Sequence, residues 1–389
     1  MQDVFNKVNI LDIQLYNFKN ESLDISKLFL KINIFESIFE KFLSGKIVIT
    51  DTQDLIANFP IIGNERLRIS FEQRNKIVDM DFRVYKTDGD QNNTKGIQKF
   101  KTFVLYFCSA EKLKSNKISK KFSGKAETII ADVLNSDKEF VYQETLENIS
   151  FVSNFWSVQK IIDFILKIVK SFKYSDYVFY ETLDNLTFSP ISHLQGMDET
   201  ESIVYDLNND NYIKNDNIKT FKFERYFNIL ENKMFSMFGK TLYNCHNTDY
   251  SFKKTSKSLS DVYGNITSLG KHIPFDINLF SGESGVDANY YDPEISIIRN
   301  ICLSTLRQYN IITKMNGLLS RKCGQVVKID YPSTYNDEIY QKSFDGKWFI
   351  IGINHLISND GDFEQNLLMS KNAKFNFDGL EKTNGNINV

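Results

Sequence analysis

The chain has 389 residues, with 42% hydrophobic and 25% charged side chains and a net charge of −2. That length and composition fit a folded protein of two to four domains with a full core. The slight acidity excludes a sequence-independent nucleic-acid binder, which needs a basic excess. Four cysteines, Cys108, Cys245, Cys302 and Cys323, form no C-x-x-C pair and no zinc spacing, so free thiols are expected. The N-terminal MQDVFNKVNI has no basic and apolar signal pattern, and the most apolar helical stretch, 155–172, is broken by Lys160, Asp163, Lys167 and Lys170. Neither a secretory signal nor a membrane-spanning helix is expected.

Residues 1–110 alternate strongly. Leu28, Leu30, Ile32 and Ile34 fall on one face of a strand. Leu67, Ile69 and Phe71 alternate with Arg66, Arg68 and Ser70; Val78, Met80, Phe82 and Val84 alternate with Asp79, Asp81, Arg83 and Tyr85. With a further strand at 99–107, this reads as a half-buried antiparallel sheet long enough to curl toward a barrel. Between two strands, Phe35–Leu43 places Ile38, Phe39 and Phe42 at helical spacing and ends at Ser44-Gly45, predicting a short helix. The polar stretch 86–98 reads as an exposed hairpin loop.

The run 111–125 carries six lysines and reads as a solvated linker face or a docking patch for an acidic partner. Ala126–Leu134 is a predicted helix. Val158, Ile161, Ile162, Ile165, Ile168, Val169 and Phe172 form one helical stripe, with Ser153 or Asn154 as its cap. Phe155, Trp156 and Phe164 are expected in its core. Tyr177–Tyr180 and Leu186–Phe188 read as a hairpin through Leu183-Asp184-Asn185. The acidic stretch 197–217 reads as a connector.

From 218 the β pattern returns, with a strand through Phe221 and Phe223, a turn at 228–233 and a strand through Met237–Tyr243. Residues 246–292 read as an extended polar excursion, and Pro293 opens a helix to about Tyr309. Cys323-Gly324 leads into a strand closed by Pro332; 333–344 is a polar loop. Gly346 opens a strand through Trp348, joined at Asn359-Asp360-Gly361 to 363–370 as a hairpin. The tail 373–389 is polar.

Catalytic patterns are weak. Glu36 and Glu40, at i and i+4, read as a solvated helix face. His193, His246, His272 and His355 form no H-E-x-x-H, and His355 reads as a hydrogen-bonded barrel residue. Gly282-Glu283-Ser284-Gly285 lacks the spacing of a nucleophile elbow and reads as a loop turn. No P-loop or dinucleotide fingerprint occurs, so no cofactor is expected and no catalytic or metal residue is assigned.

Four segments, 32–71, 148–188, 221–243 and 324–331 with 346–370, together resemble the central hub proteins of contractile-tailed phage baseplates. These are the T4-like hubs, related in fold to the hub region of type VI secretion spike proteins. Phe35, Phe39, Gly45, Gly63, Trp156, Phe164, Tyr180, Gly324, Gly346 and Trp348 are the fold-defining positions of the match. The chain departs from the pattern at Asn154–Ser157, where a proline is expected, and at Cys323. The resemblance implies a β-dominated α+β fold of two tandem tube-type antiparallel barrels with an inserted α/β subdomain. Its divisions would be a first barrel at 1–111, the α/β subdomain at 112–205, a discontinuous second barrel at 206–245 and 305–372, an excursion with a helix at 246–304, and a tail at 373–389. It implies a non-enzymatic homotrimer in the virion, assembled in the host cytoplasm. Tail tube or tube-initiator would lie above it, the spike below and other baseplate proteins around it, with DNA crossing a central channel without specific binding. The rival readings are a cell-wall-degrading tail enzyme and a glycan- or receptor-binding tail protein.

Overall fold

The computed structural model describes residues 7–51, 59, 61–95, 98–114, 116–171, 175–204, 218–226, 228, 230, 234, 237–245, 252–259, 261, 283–287, 293–307, 309–330 and 345–371. The first part of the chain forms β1 (Asn9–Tyr16), β2 (Ser22–Asp24), β3 (Phe29–Ser37), β4 (Ser44–Asp51), β5 (Arg66–Gln73), β6 (Lys76–Lys95) and β7 (Gln98–Ser109). The middle forms β8 (Lys121–Gly124), α1 (Ala126–Leu134), β9 (Glu139–Tyr142), β10 (Ile149–Val152), α2 (Val158–Ile168), β11 (Tyr177–Glu181), β12 (Asn185–Pro190) and α3 (Ile191–Gln195). The last part forms β13 (Glu201–Val204), β14 (Ile218–Tyr226), β15 (Gly239–Cys245), β16 (Phe252–Ser258), β17 (Glu283–Asp287), α4 (Pro293–Thr305), β18 (Tyr309–Asn316), β19 (Val326–Asp330), β20 (Gly346–Ser358) and β21 (Phe363–Lys371). The fold is β-dominated α+β.

One sheet runs through both β blocks, in the order β14-β18-β21-β20-β3-β4-β7-β6-β5-β1-β2, with β13 and β19 branching from β20. The two blocks repeat one topology. The first reads β1-β5-β6-β7-β4-β3 across the sheet and the second reads β13-β19-β20-β21-β18-β14. Numbering the strands of each block along the chain gives the same spatial order, 1-4-5-6-3-2, in both. Every equivalent pair is antiparallel except the outermost, where β1 meets β5 antiparallel and β13 meets β19 parallel. A bulge also recurs at one place, between Val84 and Lys86 on β6 and between Ile350 and Gly352 on β20.

Alternating side chains build a core within each block. Ile13, Ile32, Ile34, Ile47, Ile69 and Phe107 fill the first; Ile311, Met315, Val326, Trp348, Ile350 and Met369 fill the second. The β20–β21 hairpin serves both. Its base belongs to the second core, and Ile357 and Phe363 near its tip belong to the first. The sheet curls far enough that Val8 N donates to Gly361 O (2.9 Å) in that hairpin's turn, and Lys7 bridges Asp362. The middle segment has its own core of Ile130, Ile161, Ile162, Ile165, Tyr177 and Phe188. There β8 pairs with β10, and β9 joins the β11–β12 hairpin in parallel. A fourth core, around Phe238, Leu242, Ile297 and Ile301, lies under the separate sheet β16-β15-β17.

The structure corrects several expectations. The predicted helix 35–43 is the end of β3 followed by turns and bends: Ile38 drops into the second core, and Phe42 packs edge-on against Phe179 at 5.9 Å. Leu30 is exposed because a register shift between Phe29 and Lys31 turns it outward, so the Leu28–Ile34 face is broken. The polar stretch 86–98 is mostly strand, paired with β7 through two register shifts. The α2 cap is Ser157, whose Oγ accepts from Lys160 N (3.3 Å). Ser153 instead donates to Ile118 O (2.8 Å) and accepts from Lys120 N (3.1 Å), pinning β10 beside β8. Phe155 is 67% exposed with φ +52°, outside the core. Trp156 and Phe164 are half-buried and pack together at 5.1 Å. The excursion contains β16 and β17, and Glu283–Asp287 is a strand beside β15 rather than a loop turn. The connector beyond 204, most of the turn 228–233, the loop 333–344 and the tail 373–389 lie outside the described residues.

Lys371, at the end of β21, is buried, donates to Asp345 O (2.7 Å) and lies over the Trp348 ring at 5.0 Å. Burial pulls its ammonium down from 10.5 to about 8. Below pH 8 the folded state carries the buried charge in full. Between pH 8 and 10.5 it has shed a proton that the unfolded chain keeps, so the cost fades as pH rises. Lys371→Met is therefore expected to be more stable at neutral pH by on the order of 1–3 kcal/mol. That advantage should shrink toward pH 10.5 in urea titrations of the two proteins run in parallel. In the middle core, Ile162→Ala should lower stability by about 2–5 kcal/mol. Phe155→Ala should change it by less than about 0.5 kcal/mol in the same titration.

Candidate functional site

The two blocks, the middle segment and the loop before β19 meet at one buried carboxylate. Glu36 sits on β3, where alternation turns it inward beside Ile34, and it is 2% exposed. Its Oε1 accepts from Leu183 N (2.8 Å), in the β11–β12 turn, and its Oε2 accepts from Cys323 N (3.1 Å). His355 on β20 places Nε2 at 3.3 Å from Oε1, outside hydrogen-bonding geometry. The expectation of a solvated Glu36 is overturned, because Glu36 lies in a strand; Glu40, in the following turn, is exposed.

A chain of buried polar groups continues from this point. Gln365 Nε2 lies 3.1 Å from His355 Nδ1 and donates to Leu318 O (3.0 Å). Gln365 Oε1 accepts from Arg321 (2.6 Å). Arg321, 2% exposed, clamps Glu201 of β13 through two bonds of 2.7 and 2.6 Å and donates to Asn316 O (2.9 Å). This bidentate geometry is the strongest ion pairing available to a carboxylate. His355 thus is the hydrogen-bonded sheet residue that was expected.

Further ties cross the same junction. Glu181 accepts from Leu43 N (2.9 Å), Ser109 Oγ (2.5 Å) and Lys138 Nζ (2.7 Å). Gln73 accepts from Leu319 N and donates to Gly317 O, both at 2.9 Å. Asp184 bridges Lys76 and Lys322, each at 2.7 Å. Burial opposes its charge, but Lys322 and Lys76 hold the carboxyl below its ordinary range.

The motif positions surround this junction without forming one site. Gly45 passes so close to Asn33 O and the Phe107 ring that a Cβ has no room. Gly324 takes φ +83°, and a Cβ there would strike the Tyr180 hydroxyl, which lies 3.4 Å from Cys323 O. Trp348 is fully buried in the second core, and Gly346 opens its strand. Gly63 lies in the bend before β5. Phe35 and Phe39 are exposed, with Arg307 5.8 Å over the Phe39 ring.

Glu36 and His355 are closed to solvent, and no cluster that could hold a metal occurs among the described residues. Burial pushes the Cys108 thiol up to about 11 and raises those of Cys302 and Cys323, so all three stay protonated at neutral pH. The lysine run folds onto its own domain. Lys114 donates to Leu134 O, Lys125 to Thr145 O, and Lys120 pairs with Asp132 at 2.8 Å. No described helix is long and apolar enough to cross a membrane.

The open strand edges among the described residues include those of β14 and of the far half of β6. β14 ends the sheet, pairing only with β18. β6 loses β5 after Arg83, bonds Asn64 N and Glu65 O through the Val84 backbone, and from Tyr85 to Lys95 pairs with β7 alone among the described residues, with Tyr85, Lys86, Thr87 and Asp88 all exposed.

Comparison with solved structures identifies this architecture. The 43 kDa tail protein of prophage MuSo2 from Shewanella oneidensis aligns over 93% of this chain and 98% of its own, with a TM-score of 0.58 and 12% identity. A tail protein from Neisseria meningitidis MC58 aligns over 92% and 96%, with a TM-score of 0.56 and 10% identity. The chain shares the fold of these two tail proteins. At these identities the likeness is one of fold alone. No protein-family model and no curated protein matches the sequence.

The junction sets a clear stability test. Glu36→Ala strands two buried amide donors and is expected to cost about 3–5 kcal/mol. Glu36→Gln keeps one acceptor but turns an NH₂ toward an N–H, so its loss should be smaller. Urea unfolding of both variants checks the order; a Glu36→Ala protein as stable as the parent would show that the junction contributes nothing.

Proposed function

We propose that this protein is the structural hub of a contractile tail's baseplate, a homotrimer whose six β blocks form a pseudo-sixfold ring. The observation that carries the reading is the repeat itself: one chain holds two copies of a six-strand order, joined edge to edge in one sheet. Three such chains present six similar units around a threefold axis. That arrangement matches a sixfold tail tube on one side and a threefold spike on the other. The fold shared with two tail proteins supports the same assignment.

In this role the chain does no chemistry. Tail tube or tube-initiator docks above, the spike below, and other baseplate proteins around the rim, with DNA crossing the central channel. A chain of net charge −2 suits passage without tight binding. The paired surface charges Arg66–Asp81 (2.7 Å) and Arg68–Asp79 (2.5 Å) on β5–β6 fit the same demand, since each cation is neutralised in place.

Native mass spectrometry and negative-stain imaging of the purified protein test the proposal. The expected result is a trimer with a central channel and six similar lobes. A stable monomer at micromolar concentration, or release of muropeptides from purified peptidoglycan, would overturn it.

A further inference from the structure

We infer that the ring is sealed by strand pairing between copies, with the free edge of β14 adding antiparallel to the open segment of β6 on the next subunit. This rests on the trimeric reading above and names the seam that reading requires. The argument comes from the seam already present inside the chain. On β20, pairing with β19 ends at Phe349, and pairing with β3 occupies the same edge from Gly352 to Ser358. On the equivalent strand β6, pairing with β5 ends at Arg83, Val84 bonds Asn64 and Glu65, and the edge from Tyr85 onward is open among the described residues. The partner that fills this edge in the second block is β3. Its counterpart in the repeat is β14, the strand left at the end of the sheet.

The ladders fix the register. One row of paired residues crosses the first block as Arg66, Arg83, Cys108, Ser44 and Phe35. The equivalent row crosses the second block as Val326, Phe349, Ser370, Asn310 and Arg225. Phe35 pairs with Asn354, which follows Phe349 by five positions on β20. Arg225 therefore falls opposite the residue five positions after Arg83 on β6 of the neighbouring copy, which is Asp88. Tyr226 falls opposite Thr87. The equivalent bulges after Val84 and Ile350 keep the count in step to this point.

The chemistry agrees with the geometry. Both edges carry charges of each sign, Lys86 and Asp88 on β6 and Lys222, Glu224 and Arg225 on β14, and the register sets Arg225 opposite Asp88, a basic residue across from an acidic one. Within the chain Asp88 is engaged in an exposed pair with Lys86 (3.1 Å), a contact weak enough to exchange for a cross-strand partner. The interface is head-to-tail: each copy offers β14 on one side and β6 on the other, so three copies close a cycle of alternating internal and intermolecular seams.

Cysteine trapping decides it. The double variant Asp88→Cys/Arg225→Cys, oxidised in dilute solution, should give disulfide-linked dimers and trimers on a non-reducing gel, and each single variant only monomers. In a second arm, Asp88→Arg should raise the trimer's dissociation concentration about tenfold or more, and the swap Asp88→Arg/Arg225→Asp should restore it. A trimer with a central channel that neither cross-links nor responds to the swap would overturn the seam and leave the hub reading standing. A protein that is monomeric throughout would overturn both.

Discussion

The carboxylate of Glu36 is the constraint on which the rest of the fold closes. A carboxyl group this deep is tolerated only when it is hydrogen-bonded, and Glu36 draws its donors from remote parts of the chain. Leu183 lies 147 residues away and Cys323 lies 287 residues away. The β11–β12 turn and the loop before β19 must therefore arrive at β3 together, or the carboxylate is left without donors. A hydrophobic side chain at this point would bury more cheaply but would accept many arrangements of the three pieces. A second run of bonds, from His355 through Gln365 and Arg321 to Glu201, makes a similar demand across the second block.

This junction explains how one chain holds two copies of a unit without their separating. The blocks share a sheet through β3 and β20, a hairpin whose side chains enter both cores, and a polar lock between them. The insertions respect it. In the first block β3 returns to β4 through the short turn at 38–43. In the second, β15, β16, β17 and α4 intervene between β14 and β18. That extra unit packs α4 against α2, and Arg299 Nε donates to Tyr177 O (3.3 Å), so the two additions brace one another beside the shared sheet.

Alternation made most strands and the three longer helices legible, because a half-buried strand or an amphipathic helix writes its period into the sequence. The misread segments share a cause. Ile38 and Phe42 sit four apart, as in a helix, but each is claimed by a different core, so tertiary contacts decided the path. Residues 86–95 look like a loop because they are polar in sequence, and 86–88 are exposed; backbone pairing with β7 makes the segment strand. Glu36 looked solvated because its donors are far off in sequence, beyond any local pattern. The repeat was visible only as layout. The two blocks keep strand order and bulge while sharing little in side chains, since a curled sheet asks for apolar alternation and is indifferent to which apolar residue supplies it.

The same indifference bears on the edges. A long strand edge left open in a folded chain invites promiscuous pairing, and proteins usually blunt it with charge, proline or a bulge. β6 carries two register shifts and the charges Lys86, Asp88 and Asp90; β14 carries two register shifts and Lys222, Glu224 and Arg225. Each edge carries both signs, so a register that sets like charges opposite one another is penalised, and in the proposed seam Arg225 meets Asp88. In the proposed seam, devices that blunt an edge against the wrong partner would select the right one.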